Sequence, residues 1–226
     1  MIAFMNRRKR FLVLLLLLAA AFICYLIKGG YIELPDPSET ETTEHVWNLI
    51  LINKDYKIPK NLDIELMELS NGQKIDKRIY PELQQMFDDM REQGIYPVVA
   101  SGYRTDDYQR MLLEQEIEDN ISKGYSEEAA KAEAKMWVAE PGHSEHQTGL
   151  AVDINADWEK NSSDEVYGWL ASYAWKYGFI YRYPEDKIDI TGVYCEPWHY
   201  RYVGKDAAAV IYEQNLSLEE YIDLYF

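Results

Sequence analysis

The segment Ser144-Glu-His146-Gln-Thr-Gly149-Leu-Ala-Val-Asp153 and the later Glu196-Pro-Trp-His199 constrain the fold more than any other part of the chain. Two histidines and an aspartate are the ligand types of a zinc site that keeps one coordination position open, and Glu196 is placed to move protons beside it. The combination points to a hydrolase. It works only if two stretches about forty residues apart are brought together.

Local patterning says how they converge. Over residues 150–154 the alternation puts Leu150, Val152 and Ile154 on one face and Ala151 and Asp153 on the other, the signature of a strand. The apolar face can pack on a core while Asp153 points into a cleft. Gly149 and Ala151 keep the cleft side small, so that His146 at the strand entrance and Asp153 within it can meet. Pro197 disfavours a helix interior, so this is not the helical zinc motif with its glutamate between two histidines. Tyr200 and Tyr202, alternating with His199, Arg201 and Val203, suggest a second strand with His199 near its start.

With 226 residues, 47% of them apolar, the chain can build one sizeable core rather than two. Leu83, Met86, Phe87 and Met90 recur at helical spacing between Pro81, suited to a first turn, and Gly94, a stop. Residues 95–101 read as a β-branched strand leading into Gly102-Tyr-Arg104. Two helices are expected over residues 106–122 and 126–138, the second capped by Ser126. Residues 47–58 are either a strand or a docking segment, ended by Pro59. Trp169, Trp175, Tyr177 and Phe179, around a turn at Gly178, read as core. His143 is a contact to substrate or to a ligand rather than a ligand itself, and His45 a surface residue.

The amino terminus is different in kind. Arg7, Arg8, Lys9 and Arg10 precede an uninterrupted apolar run over residues 11–27, then Lys28 and two glycines. The run is at the short limit for a membrane span, and the basic cluster would hold residues 1–10 in the cytoplasm. A single-pass signal anchor in the cell membrane is expected, with the remainder outside the cytoplasm; a cleaved signal peptide ending near Ala19-Ala20-Ala21 is the alternative. Residues 28–45, acidic and without apolar periodicity, read as a tether, leaving residues 46–226 as the folded domain. Cys195 is the domain's lone cysteine, so no internal disulfide is available there; it reads as a small buried side chain, with a fourth metal ligand or a nucleophile as the alternatives. The whole chain carries a net charge of −16, yet no acidic residue precedes position 30, so the domain is more acidic still. Nucleic acid is excluded as a partner. No oligomeric state is encoded in any of these patterns.

Taken in order, Ser101-Gly-Tyr-Arg104, Pro141-Gly-His-Ser-Glu-His-Gln-Thr-Gly-Leu-Ala-Val-Asp153, Gly178-Phe179 with Arg182-Tyr-Pro184, and Glu196-Pro-Trp-His-Tyr-Arg-Tyr202 resemble the VanY-type zinc D-alanyl-D-alanine carboxypeptidases and the related L,D-carboxypeptidases. The resemblance covers residues 46–226. It implies an α+β fold, Hedgehog/DD-peptidase-like, with a central antiparallel sheet, packed helices and a zinc cleft. It further implies His146, Asp153 and His199 as zinc ligands and Glu196 as the catalytic base. Arg104, with Gln109 and Ser144, would bind the free carboxylate of a peptidoglycan stem peptide, a role a guanidinium fork suits. The activity implied is removal of a terminal D-alanine. L,D-cleavage of tetrapeptide stems is the near alternative and a catalytically silent, zinc-stabilised wall-peptide binder a more distant one, disfavoured because a binder has no need of Glu196.

Overall fold

The computed structural model describes residues 47–226; the expected anchor, the tether and His45 lie outside the described residues. In chain order it contains a hairpin of β1 (Leu66–Glu68) and β2 (Lys74–Asp76), then α1 (Tyr80–Glu92), β3 (Pro97–Ser101), α2 (Asp106–Ser122), α3 (Glu127–Ala134) and β4 (Ala151–Ala156). There follow α4 (Ser163–Tyr173), β5 (Phe179–Tyr181), the single-turn α5 (Ile188–Thr191), β6 (His199–Tyr202), α6 (Lys205–Gln214) and α7 (Leu218–Tyr225). Four strands make one antiparallel sheet in the order β3-β4-β6-β5. The class is α+β, as the resemblance implies. Among the described residues no helix is long and apolar enough to cross a membrane.

The period-2 pattern divides this sheet into a dry face and a chemical one. Leu150, Val152, Ile154, Tyr200 and Phe179 join Leu83, Met86, Phe87 and Met90 of α1 and Val166, Trp169 and Leu170 of α4 in the main core. Each such side chain, fully buried, contributes roughly 1.5–3 kcal/mol. A smaller cluster, Ile180, Val203, Ala207, Ala208, Ile211 and Leu218, fixes α6 and the start of α7 beside β5. Asp153, His199 and Arg201 point to the opposite face.

One helix follows its sequence signals throughout and the next only at its start. Thr105 caps α2, its hydroxyl accepting from Tyr108 N–H at 3.2 Å, and Asp106 and Asp107 occupy the favourable first turn. Ser126 caps α3 as expected, but that helix stops at Ala134 rather than running to residue 138. There the Met136 carbonyl accepts from Tyr194 N–H at 2.9 Å and Trp137 packs on Tyr194, so this backbone turns out of the helical ladder. Residues 47–58 dock without forming a strand. Trp47 stacks on Tyr202, Asn48 Nδ2 donates to the Val203 carbonyl at 2.7 Å, and the Asn48 and Ile50 carbonyls accept from the Arg201 guanidinium at 3.1 and 2.9 Å. A side chain satisfies the carbonyls that a neighbouring strand would otherwise pair.

Candidate metal centre

Strand register assembles the centre. On β4 Asp153 lies directly across from His199 on β6 and from Ser101 on β3, where an irregularity between Val99 and Ser101 shifts the pairing. His146 arrives on a 3-10 turn, Glu145–Thr148, that ends at Gly149 with a left-handed φ of 71°. A glycine is required there on two counts: a side chain is strained at that φ, and a Cβ would sit 2.8 Å from the Asp76 backbone nitrogen. The His199 end is set by a tight turn in which His199 N–H donates to the Glu196 carbonyl at 3.0 Å, with Pro197 at the position whose φ proline pre-sets.

His146, Asp153 and His199 are all buried and offer ligand atoms within 4.8 Å of one another. His146 Nε2 and His199 Nδ1 lie 3.2 and 3.1 Å from the same oxygen, Asp153 Oδ1. The other nitrogen of each ring is engaged elsewhere: His146 Nδ1 is 2.8 Å from the Gly102 carbonyl, and His199 Nε2 is 3.4 Å from Glu145 Oε2. With a metal at the near nitrogens, an acceptor on each far nitrogen would hold the proton there and leave the near lone pair turned inward. Two imidazole lone pairs and a carboxylate oxygen thus face one point, the donor set of a zinc site. Burial would raise the Asp153 pKa, but the two histidines hold it well below the usual carboxylate range. Burial likewise opposes charge on His199, yet its bonds to Asp153 and Glu145 prevail and push it up to about 9. His146 moves the other way, lowered chiefly by burial.

Glu196, Arg104, Gln109 and Ser144 border the same cleft, a hollow of about 670 Å³ that runs from the three ligand residues past Leu112 and Asp119 of α2 to Trp137. Glu196 is buried, with Oε2 3.6 Å from His199 Nδ1; burial pushes its carboxyl up to about 7, against the pull of His199. Arg104 pairs with neither Asp106 nor Asp107, which bind Arg110 instead. Its Nη2 donates to Asp153 Oδ2 at 2.6 Å and its Nε to Ser101 Oγ at 2.9 Å, leaving Nη1 unused by these two bonds. Gln109 Nε2 donates to the Ala139 carbonyl at 2.8 Å, while its buried Oε1 has no partner among the described residues. His143 Nδ1 is bonded to the Asn53 carbonyl at 2.7 Å, a structural role. Cys195 is half-buried with its Sγ 3.1 Å from Tyr181 Oη, and lies outside the three-residue ligand group.

Glu145 was missed by the sequence reading, and so were its partners. Its Oε1 accepts from Arg182 Nε at 2.8 Å and Arg201 Nη1 at 2.9 Å, and the Arg182 fork closes on both oxygens of Glu219 at 2.8 and 2.6 Å. Burial would raise the Glu145 pKa, but the two guanidiniums outweigh it and hold it well below the usual carboxylate range. Two positive and two negative groups thereby balance beneath the centre, the condition for keeping charge in a core. A signal was present: Arg182 and Arg201 stand in the aromatic runs Phe179-Ile-Tyr-Arg-Tyr183 and His199-Tyr-Arg-Tyr202, where a guanidinium is tolerated only with a buried carboxylate.

A four-stranded antiparallel sheet that carries Asp153 and His199 into a cleft, where His146 joins them from the turn before β4 and a buried glutamate stands beside, defines a metallohydrolase architecture. Comparison with known proteins narrows it. Residues 72–205 match the family described as VanY, D-alanyl-D-alanine carboxypeptidase. The chain is 51% identical over 199 residues to a D-alanyl-D-alanine carboxypeptidase of Enterococcus faecalis (strain ATCC 700802 / V583), spanning 86% of this chain and 74% of that protein. Among solved structures, VanYB in complex with D-alanine-D-alanine superposes with a TM-score of 0.79 at 54% identity, covering 80% of this chain and 99% of that one. A zinc(II)-bound variant of the D,D-pentapeptidase VanY gives 0.77 at 55% identity, covering 78% and 99%. The LD-carboxypeptidase LdcB gives 0.64 at 35% identity, covering 84% and 93%. The chain belongs to the VanY D-alanyl-D-alanine carboxypeptidase family.

Proposed function

We propose that this protein is a zinc-dependent D,D-carboxypeptidase that removes the terminal D-alanine from peptidoglycan stem peptides. The observation that carries the reading is the convergence of His146 Nε2, His199 Nδ1 and Asp153 Oδ1 on one point of a cleft bordered by Glu196 and Arg104. Those three residues would hold the metal, which when bound supplies a Lewis acid that activates water near neutral pH and stabilises charge developing on the scissile carbonyl. Glu196, with a carboxyl near neutrality, takes the proton of the attacking water and returns it to the departing D-alanine amine. Arg104 pairs with the terminal carboxylate through the part of its fork turned away from Asp153 and Ser101, and so registers the scissile bond over Glu196. Ser144, buried at the cleft wall, and Gln109 complete the pocket for the last residue.

L,D-cleavage is the second reading, favoured by the likeness to LdcB. Both activities require the same terminal carboxylate and differ in the configuration of the residue before it. The test is release of D-alanine from synthetic pentapeptide and tetrapeptide stems, followed by mass spectrometry with zinc and again with chelator. Chelator-sensitive release from the pentapeptide is expected. Release from the tetrapeptide alone would move the assignment to L,D-cleavage, and zinc binding without release from either would favour the silent binder.

For location, the basic cluster and the apolar run over residues 11–27 support a single-pass membrane anchor with the enzyme domain outside the cytoplasm. Full-length protein is then expected in the membrane fraction and open to external protease in cells stripped of their wall. Recovery in the soluble cytoplasmic fraction would overturn this location.

A further inference from the structure

Beneath the candidate metal centre lies a buried charge cluster outside the three-residue ligand group. We propose that Glu145 is a positioning residue for His199: it fixes the imidazole so that Nδ1 faces the metal, and is itself clamped by Arg182 and Arg201, with Glu219 of α7 anchoring Arg182. The proposal rests on the zinc reading above. Its geometry is specific. Glu145 divides its oxygens, Oε1 taking both guanidiniums and Oε2 lying 3.4 Å from His199 Nε2. His199 Nδ1 faces a carboxylate too, Asp153 Oδ1 at 3.1 Å, so it is with a metal on Nδ1 that the proton is left to Nε2 and Oε2 becomes its acceptor. His146 solves the same problem with a backbone acceptor, the Gly102 carbonyl at 2.8 Å.

The clamp explains why two arginines are buried here. A carboxylate held only by an imidazole would be free to rotate, whereas one held by two guanidiniums, from β6 and from the residue after β5, keeps its place. Arg201 also donates to the Asn48 and Ile50 carbonyls, and Glu219 Oε1 accepts from Asn53 Nδ2 at 3.1 Å. The orientation of one zinc ligand is thus fixed through Glu145 by the docked segment at the domain's start and by its last helix. Tyr183, tilted against His199 with ring centroids 4.8 Å apart, closes the remaining side of the imidazole.

The test compares zinc affinity, by competition with a chromogenic chelator, and the ring-nitrogen NMR spectrum of zinc-loaded wild-type protein and E145Q. Loss of an acceptor behind a metal-bound histidine costs about 10- to 100-fold in affinity. E145Q is expected to bind zinc at least about tenfold more weakly, with the His199 Nε2–H signal displaced and the His146 Nδ1–H signal unmoved. General loosening of the site would shift both histidines, and that result would overturn the proposal, as would wild-type affinity in E145Q. Should E145Q fail to fold because Arg201 loses its counter-charge, E145Q/R201M removes both charges and the same two readouts decide there. Wild-type protein that binds no zinc would overturn the metal reading and this one with it; tight wild-type binding with E145Q unchanged would overturn this one alone.

Discussion

Asp153 is the residue on which the centre turns, because its two oxygens serve different neighbours. Oδ1 faces both histidines and Oδ2 takes the Arg104 guanidinium, so Arg104 holds a candidate ligand while it borders the cleft. A charge-assisted bond is worth about 1.5–3 kcal/mol, or roughly ten- to hundredfold in a rate ratio. R104A is expected to reduce the kcat/KM preference for free over amidated peptide termini by that factor. An unchanged preference would remove Arg104 from carboxylate recognition. Glu196 lies beside the ligands without being one of them, so E196Q is expected to keep its zinc and lose on the order of a hundredfold or more in turnover. Metal content and single-turnover rate on one preparation separate the two effects. At this scale the grouping of His146, Asp153 and His199 was legible because their residue types sit at interpretable spacings within two short segments. Glu145 was not, since its arginines are 37 and 56 residues away and nothing local distinguishes it from a solvated glutamate in an acidic chain.

Elements bring those residues to one place through backbone contacts that leave no room for a Cβ. The β1–β2 hairpin abuts both loops of the site: Asp76 N–H donates to the Gly149 carbonyl at 2.9 Å, and a Cβ on Gly102 would fall 2.2 Å from the Lys74 carbonyl oxygen. Gly102 in turn presents the carbonyl that orients His146. G149A would force an alanine into the left-handed region and against the Asp76 nitrogen, costing about 1–2 kcal/mol in conformation alone. In a domain of this size that corresponds to a Tm lower by roughly 2–8 °C, which calorimetry resolves. A Tm within a degree of wild type would show that the hairpin yields. The strand around Asp153 and the helix stripe of α1 were readable in advance because each buries one face, and period then dictates which residues go inside. The hairpin was not, and residues 47–58 stayed open between strand and docking segment, because short or irregular pieces have too few residues to establish a period. The end of α3 escaped for another reason: the Trp137–Tyr194 contact that turns the chain there is tertiary.

At the scale of the molecule, the candidate metal centre joins the turn and strand over residues 145–156 to a strand some forty residues further along the chain. His146 comes from a turn, Asp153 from β4 and His199 from β6, and the charge cluster beneath extends the linkage to residues 48–53 and to α7. A metal that binds this assembled state and not the unfolded chain stabilises it by mass action, about 4.1 kcal/mol when free zinc exceeds its Kd a thousandfold. For a domain of this length each kcal/mol moves Tm by about 2–4 °C, so stripping zinc is expected to lower Tm by roughly 8–16 °C. The measurement is a thermal scan of the domain with zinc, after chelation, and after zinc is restored. Magnesium, which prefers oxygen ligands and keeps its waters, should not substitute in a site with two imidazoles. Equal Tm values with and without zinc would mean that the unfolded chain binds the metal as well as the folded one, or that the three ligands do not act as a unit. In the second case the carboxylate clamp on His199 has no metal to orient it towards. The thermal scan thus tests at the largest scale the same geometry that E145Q tests at the smallest.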